Sequence, residues 1–236
     1  MIDEQDLNQE KGAYYEARAK SVIKNLLKQG IKGKYAASRQ EALVAVMEMI
    51  PPGVTVARGD SISVDQVGVP EALVKGNRNK LINPLERDEN GLFAYNTEDR
   101  YRMEREVFYT DIFITSANAV TLDGKLVSID GHGNRVSAMI FGPKKVIFVA
   151  GVNKIVKDVD EALVRIHNMA TPINAMRHAL KHNMPEGSEL PCVKVGYCVD
   201  CNHPERPCRY TVIIEGSGSM DPGRFSVVLV GEELGI

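Results

Sequence analysis

Apolar positions recur three and four residues apart from about Ala13 to Gln29, which predicts an opening helix. Tyr15, Ala19, Val22, Ile23, Leu26 and Leu27 share one side of it, and Gly30 supplies a stop. A second helix is expected from Ser38, with Glu41 placed to complete a capping box. Leu43, Val44, Val46, Met47 and Ile50 continue that pattern until Pro51-Pro52-Gly53 ends it.

Beyond Gly53 the rhythm changes to short apolar runs alternating with helical stretches. Strands are expected at Val54–Ala57, Lys80–Ile82, Asp111–Thr115, Lys125–Ile129, Val146–Ala150, Arg209–Ile214 and Phe225–Val230. Helices are expected over Asp65–Lys75 and Thr97–Tyr109, from Val136, and over Asp158–Ala170. Pro172 is expected to open a further short helix reaching His182. Strands that are apolar throughout are buried on both faces, the condition of a parallel sheet covered by helices. The predicted fold class is α/β: an open, mostly parallel sheet flanked by helices. Residues 1–37 read as an N-terminal helical extension and 38–236 as one α/β domain, with a Cys-rich loop over 185–210.

Composition narrows the function classes. A formal charge of −2 provides no basic field for nucleic acid, and the absence of Trp with only six Phe argues against a base-stacking platform. No apolar run approaches the ~20 residues of a spanning helix, so membrane insertion is not expected. The polar opening from Met1 to Lys11 does not read as a signal peptide, and a cytoplasmic setting is the expectation.

In open parallel sheets ligands bind beyond the carboxyl ends of the strands, so the residues after each apolar run carry the candidate chemistry. After Val54–Ala57 come Gly59, which permits close backbone approach, and Ser61 and Ser63, which suit an anion or a helix cap. After Asp111–Thr115 come Ser116 and Asn118. Further on, Asp130, Gly131, His132, Gly133, Asn134 and Arg135 form a glycine-lined turn with a planar cation beside it. This reads as a cradle for phosphate or carboxylate, or as a capped hairpin turn. Lys154 follows Val146–Ala150 as a charge for an anion, an acid or a surface lysine. Asn174 and Arg177 share a helix face and reach a ligand or simply pair at the surface. Asp130, His132 and Lys154 are the candidate proton carriers.

All four cysteines lie in one proline-containing stretch with the spacing C-x5-C-x2-C-x6-C. Cys192, Cys198, Cys201 and Cys208 are soft donors suited to tetrahedral Zn²⁺ or an iron–sulfur cluster. Two disulfides or a redox-active Cys-x-x-Cys are the alternatives. A reducing compartment favours metal over disulfides.

The stretch Thr115–Lys154, "TSANAVTLDGKLVSIDGHGNRVSAMIFGPKKVIFVAGVNK", together with "PCVKVGYCVDC" and the closing "GRFSVVLVGEELG", resembles the LUD-domain family of lactate-utilisation-associated proteins, in its cysteine-containing branch. The resemblance covers roughly Ser38 to Ile236. It implies a fold like ribose-5-phosphate isomerase and the CoA-transferases, and an association with oxidation of lactate or a similar 2-hydroxy acid. It favours iron–sulfur slightly over zinc, with electron transfer and redox subunits of a lactate-oxidising complex as implied role and partners. In the isomerases an acidic segment stands where this chain has Ser116-Ala117-Asn118-Ala119, and their glutamate base falls at Met139 here, so sugar isomerisation is disfavoured. No Glu lies between Thr115 and Lys154 to act as a CoA-transferase nucleophile. Two other roles stay open: a non-catalytic sensing or regulatory subunit with structural Zn²⁺, and an enzyme acting on a phosphorylated or CoA-linked small acid. A homo-oligomer is compatible with either.

Overall fold

A computed structural model describes residues 4–181 and 188–236. Helix α1 (Asn8–Lys28) buries Ala19, Val22 and Leu26, the apolar stripe expected of it, and Gly30 takes the left-handed conformation just beyond its end. Strand β1 (Lys32–Ala36) follows. The segment 1–37 therefore contributes a sheet strand as well as a helix. Nothing in Lys-Gly-Lys-Tyr-Ala announces it, because an edge strand exposes polar side chains and lacks an apolar run.

Helix α2 (Arg39–Glu48) starts as its capping box requires. Ser38 Oγ accepts from the Glu41 N–H, while Glu41 Oε2 accepts from the Ala37 N–H. Strand β2 (Thr55–Arg58) leads to α3 (Ile62–Val67) and α4 (Val69–Gly76). The single helix expected over Asp65–Lys75 is thus two. Gly68 breaks it with a φ of 82°, and Pro70 begins the second at a position where its missing N–H costs nothing. Strand β3 (Lys80–Ile82) and helix α5 (Thr97–Glu106), extended by a 3₁₀ turn at Val107–Tyr109, match expectation.

Strands β4 (Ile112–Thr115), β5 (Ala119–Thr121) and β6 (Leu126–Asp130) precede α6 (Asn134–Ile140) and β7 (Lys145–Gly151). A 3₁₀ turn carrying Lys154 runs into the short β8 (Ile155–Val156). Helix α7 (Val159–Arg165) passes through a π-helical turn at Ile166–Ala170 directly into α8 (Thr171–Lys181). Pro172 therefore does not open a separate helix. The π turn shifts the hydrogen-bond ladder where a proline ring and its missing N–H would otherwise interrupt it. The predicted end at His182 lies outside the described residues, as do 185–187 of the Cys-rich loop. The chain closes with α9 (Pro191–Val195), β9 (Tyr210–Ile214) and β10 (Phe225–Val230).

The main sheet has six strands in the order β1-β10-β7-β4-β2-β3, all parallel. Along β7, Val146, Phe148 and Ala150 join the core shared with α1, α6 and the smaller sheet. Ile147 and Val149 point to the opposite core, beneath α2, α3 and α4. That two-sided burial is why these strands read as unbroken apolar runs. β9 does not enter this sheet. It pairs antiparallel with β6 in a second, four-stranded sheet, β8-β5-β6-β9, whose β5 and β8 follow in the chain from the carboxyl ends of β4 and β7. Among the described residues no helix is long and apolar enough to cross a membrane.

Candidate functional site

A cavity of about 590 Å³ opens at the carboxyl ends of β2 and β4 and beside the turn after β7. The loop after β2 supplies Gly59, and a side chain there would strike the Phe113 ring at 2.9 Å, Thr115 Oγ1 at 3.0 Å and Arg135 Cγ at 3.1 Å. Ser61 lines the cavity but is spent as the cap of α3, accepting from the Val64 N–H. Ser63 stands inside α3 instead of the loop before it, fully buried, and reaches the site only through Lys154.

Lys154 is the centre of the arrangement. Its side chain lines the cavity yet the residue is only 5% exposed. Nζ donates to Ser63 Oγ (3.0 Å) and Ser116 Oγ (3.1 Å), and among the described residues no carboxylate pairs with it. Burial, reinforced by the charges of Arg165 and Arg135, pulls its ammonium down to about 7. Arg135 is fixed by carbonyl and amide oxygens, donating to Ser116 O, Asn118 Oδ1 and Ile129 O. That locks Asn118 and the glycine-lined turn into one unit.

Asp130 and His132 both line the cavity, but they do not pair through their side chains. Asp130 accepts the backbone N–H groups of His132 and Gly133, and weakly that of Val136, and so organises the turn. Gly133 holds a φ of 91° at the start of α6 and does not itself line the cavity. The His132 ring instead stacks on Tyr101 (centroids 5.3 Å apart) and lies 3.7 Å from Glu104. Burial pushes the Glu104 carboxyl up, opposed by His132 and Arg100. Glu104 is thus a recessed acid of the cavity, contributed by α5, an element whose sequence reads only as a charged surface helix. A run of charged residues carries no mark of the one that turns inward.

On the opposite wall, Asn174 and Arg177 of α8 both face the cavity. Arg177 pairs with Asp60 through Nη2, while its buried Nε has no partner among the described residues. Burial would raise the Asp60 carboxyl, but Arg177, His178 and Arg58 together hold it below its ordinary value. Arg58 forks onto Asp65 at 2.5 and 3.0 Å. Among the described residues seven Arg or Lys side chains line the cavity against four Asp or Glu, so its field favours an anion.

The cysteine loop forms one wall of this cavity. Leu190, Pro204, Glu205, Arg206, Pro207 and Arg209 line it, although the four cysteines do not. Contact with the glycine-lined turn is close: a side chain at Gly131 would meet Pro207 Cα at 2.8 Å. Gly131→Ala is expected to displace the loop and cost about 1–3 kcal/mol; denaturant unfolding measures the loss, and unchanged stability would mean the two loops separate freely.

Cys192, Cys198, Cys201 and Cys208 are all free. Burial pushes the Cys192 thiol up, and Cys201 and Cys198 add to it; burial likewise raises Cys208, against the pull of Arg206. Cys192 and Cys208 therefore lie within reach of the charge of the other thiols. Cys198 Sγ lies 3.6 Å from His167 Nδ1, a residue of the π turn that the spacing of cysteines does not reveal. The donor chemistry suits a soft metal. Even so, among the described residues no three of these donors gather closely enough to hold one.

A model of the LUD domain matches residues 19–230. The chain belongs to the LUD-domain family. This LUD domain is also similar to the crystal structure of a DUF162 family protein from Deinococcus radiodurans, at 15% identity and a TM-score of 0.48, over 92% of this chain and 97% of that one. It is similar to ribose 5-phosphate isomerase from Plasmodium falciparum at 13% identity and a TM-score of 0.32, over 50% of this chain and 52% of that one. No curated protein matches it.

Proposed function

We propose that this LUD domain binds a small organic anion, a 2-hydroxy or 2-oxo acid or its activated derivative, in the crevice around Lys154. The observation that carries this reading is a buried lysine lining the cavity whose Nζ, among the described residues, bonds two serine hydroxyls and pairs with no carboxylate. An ammonium in that position lacks a counter-charge, and an entering carboxylate or phosphate supplies one. Among the described residues Arg177 Nε has no hydrogen-bond partner, which makes it a second donor for such an anion. The lactate-utilisation association of the family points to the acid class. The wider alternatives, a sensing subunit or an enzyme on a phosphorylated or CoA-linked acid, place the same anion in the same crevice.

Binding should weaken with rising pH. An anion selects the protonated form of Lys154, whose ammonium titrates near 7, so affinity is expected to fall roughly tenfold between pH 7 and 8.5. Calorimetric titration with lactate measures this. A flat profile would assign the anion to the arginines alone.

The cysteine loop supports a second reading, carried by four free thiols in one loop and the approach of Cys198 Sγ to His167 Nδ1. In it, Cys192, Cys198, Cys201 and Cys208 hold Zn²⁺ or an iron–sulfur cluster beside the crevice, a cluster serving electron transfer with redox subunits. Zinc there would stiffen the loop wall; a cluster would supply one-electron chemistry. Metal analysis and an absorption spectrum on protein prepared without oxygen decide between zinc, a cluster and neither.

A further inference from the structure

We infer that Lys154 is a covalent carbonyl-capturing residue, its amine condensing with the oxo group of a small 2-oxo acid to form an imine. This rests on the anion-binding reading of the same crevice and deepens it.

The geometry around Nζ is that of a nucleophile held ready. Its hydrogen bonds go to two hydroxyl oxygens, Ser63 Oγ and Ser116 Oγ, and not to an acid that would fix it as a cation. The Ser116 proton is itself committed to the Ala117 carbonyl, so Ser116 can only accept from the amine. A neutral amine bonded this way spends both N–H groups and keeps its lone pair for the remaining direction. Among the described residues the charges that act on Nζ are those of Arg165 from α7 and Arg135 from α6, which disfavour the charged form.

Space beside the nitrogen is kept open by a glycine. A side chain at Gly235 would stand 3.0 Å from Nζ and 2.6 Å from Ser63 Oγ. The carboxylate of an oxo acid has a donor of its own beside the crevice in Arg177 Nε, which has no partner among the described residues.

The step balances without a further reagent. The amine lone pair forms a C–N bond to the carbonyl carbon, the C=O π pair moves to oxygen, and a proton passes from nitrogen to that oxygen. The carbinolamine then loses water as the C=N bond forms, its hydroxyl leaving with a proton and nitrogen giving up its last hydrogen.

The test is reductive trapping on the full chain. The protein is incubated near neutral pH with pyruvate and cyanoborohydride, then analysed by intact mass and peptide mapping, with pyruvate binding measured in parallel by calorimetry. One reduced adduct per chain, mapped to Lys154 and suppressed by excess lactate, is the expected result. Lys154→Met should lose it, and mapping on the unsubstituted protein keeps the result independent of that variant's folding. Saturable pyruvate binding with no adduct at Lys154, or adducts spread over exposed lysines, overturns the inference and leaves the anion crevice standing. Absence of any binding to pyruvate, lactate or phosphate overturns both.

Discussion

Lys154→Met is expected to raise the thermal stability of the ligand-free protein at pH 7 while weakening anion binding by about 10- to 100-fold. Both effects have one cause. The unfolded chain carries a protonated lysine up to about pH 10.5, whereas the folded chain gives up that proton near pH 7. Between those values the unfolded state binds more protons, so folding stability rises with pH and is lowest, for this group, at and below about 7. Replacing the amine by an apolar side chain of similar length removes that penalty. The gain over the parent should therefore shrink as pH climbs from 7 towards 10. Thermal melts of both proteins across that range, with and without lactate, read both effects. A variant less stable than the parent at pH 7 would mean that the bonds to Ser63 and Ser116 outweigh the burial of the amine.

Gly151→Ala is expected to be among the most damaging small substitutions in the chain, costing about 3 kcal/mol. The backbone there is ordinary in its dihedral angles; crowding is the reason. A side chain at Gly151 would run into Leu234 N and lie 2.5 Å from Asn153 Oδ1 and 2.6 Å from Glu232 O. Two of those are backbone atoms with no flexible end to yield. The segment they belong to is tied to the site, because Leu234 N donates to Asn153 Oδ1, Gly235 N donates to Gln66 Oε1, and Gly235 lies against Lys154. Pushing it away should open the wall beside the amine, so urea unfolding and lactate titration are both expected to worsen. Loss of stability with intact affinity would separate this segment from the site.

The parts of this architecture legible in the sequence are those where burial is two-sided or a cap is local. β4, β7 and β10 show as apolar runs because both faces of the central sheet are covered, and Ser38 with Glu41 announces α2. β1 and the second sheet were not legible. Lys32–Ala36 looks polar because it is an edge, and β9 looks like any late strand until its antiparallel partner β6 is known. The same holds at the site. Glycines, Arg135 and Lys154 stand at strand ends, where topology predicts a ligand. Glu104, Tyr101 and Arg177's partner Asp60 depend on which side of a helix or loop turns inward, and that is fixed only by packing. The pairing of Asp130 with His132 was legible as proximity in the chain, but backbone N–H groups claim the carboxylate first.

The most direct measurement is calorimetric titration of the full chain and of Lys154→Met with lactate and pyruvate at pH 7 and low ionic strength. The account predicts saturable one-site binding to the parent protein and a 10- to 100-fold loss in the variant. Equal affinity in the two proteins, with the variant shown to be folded, would contradict it.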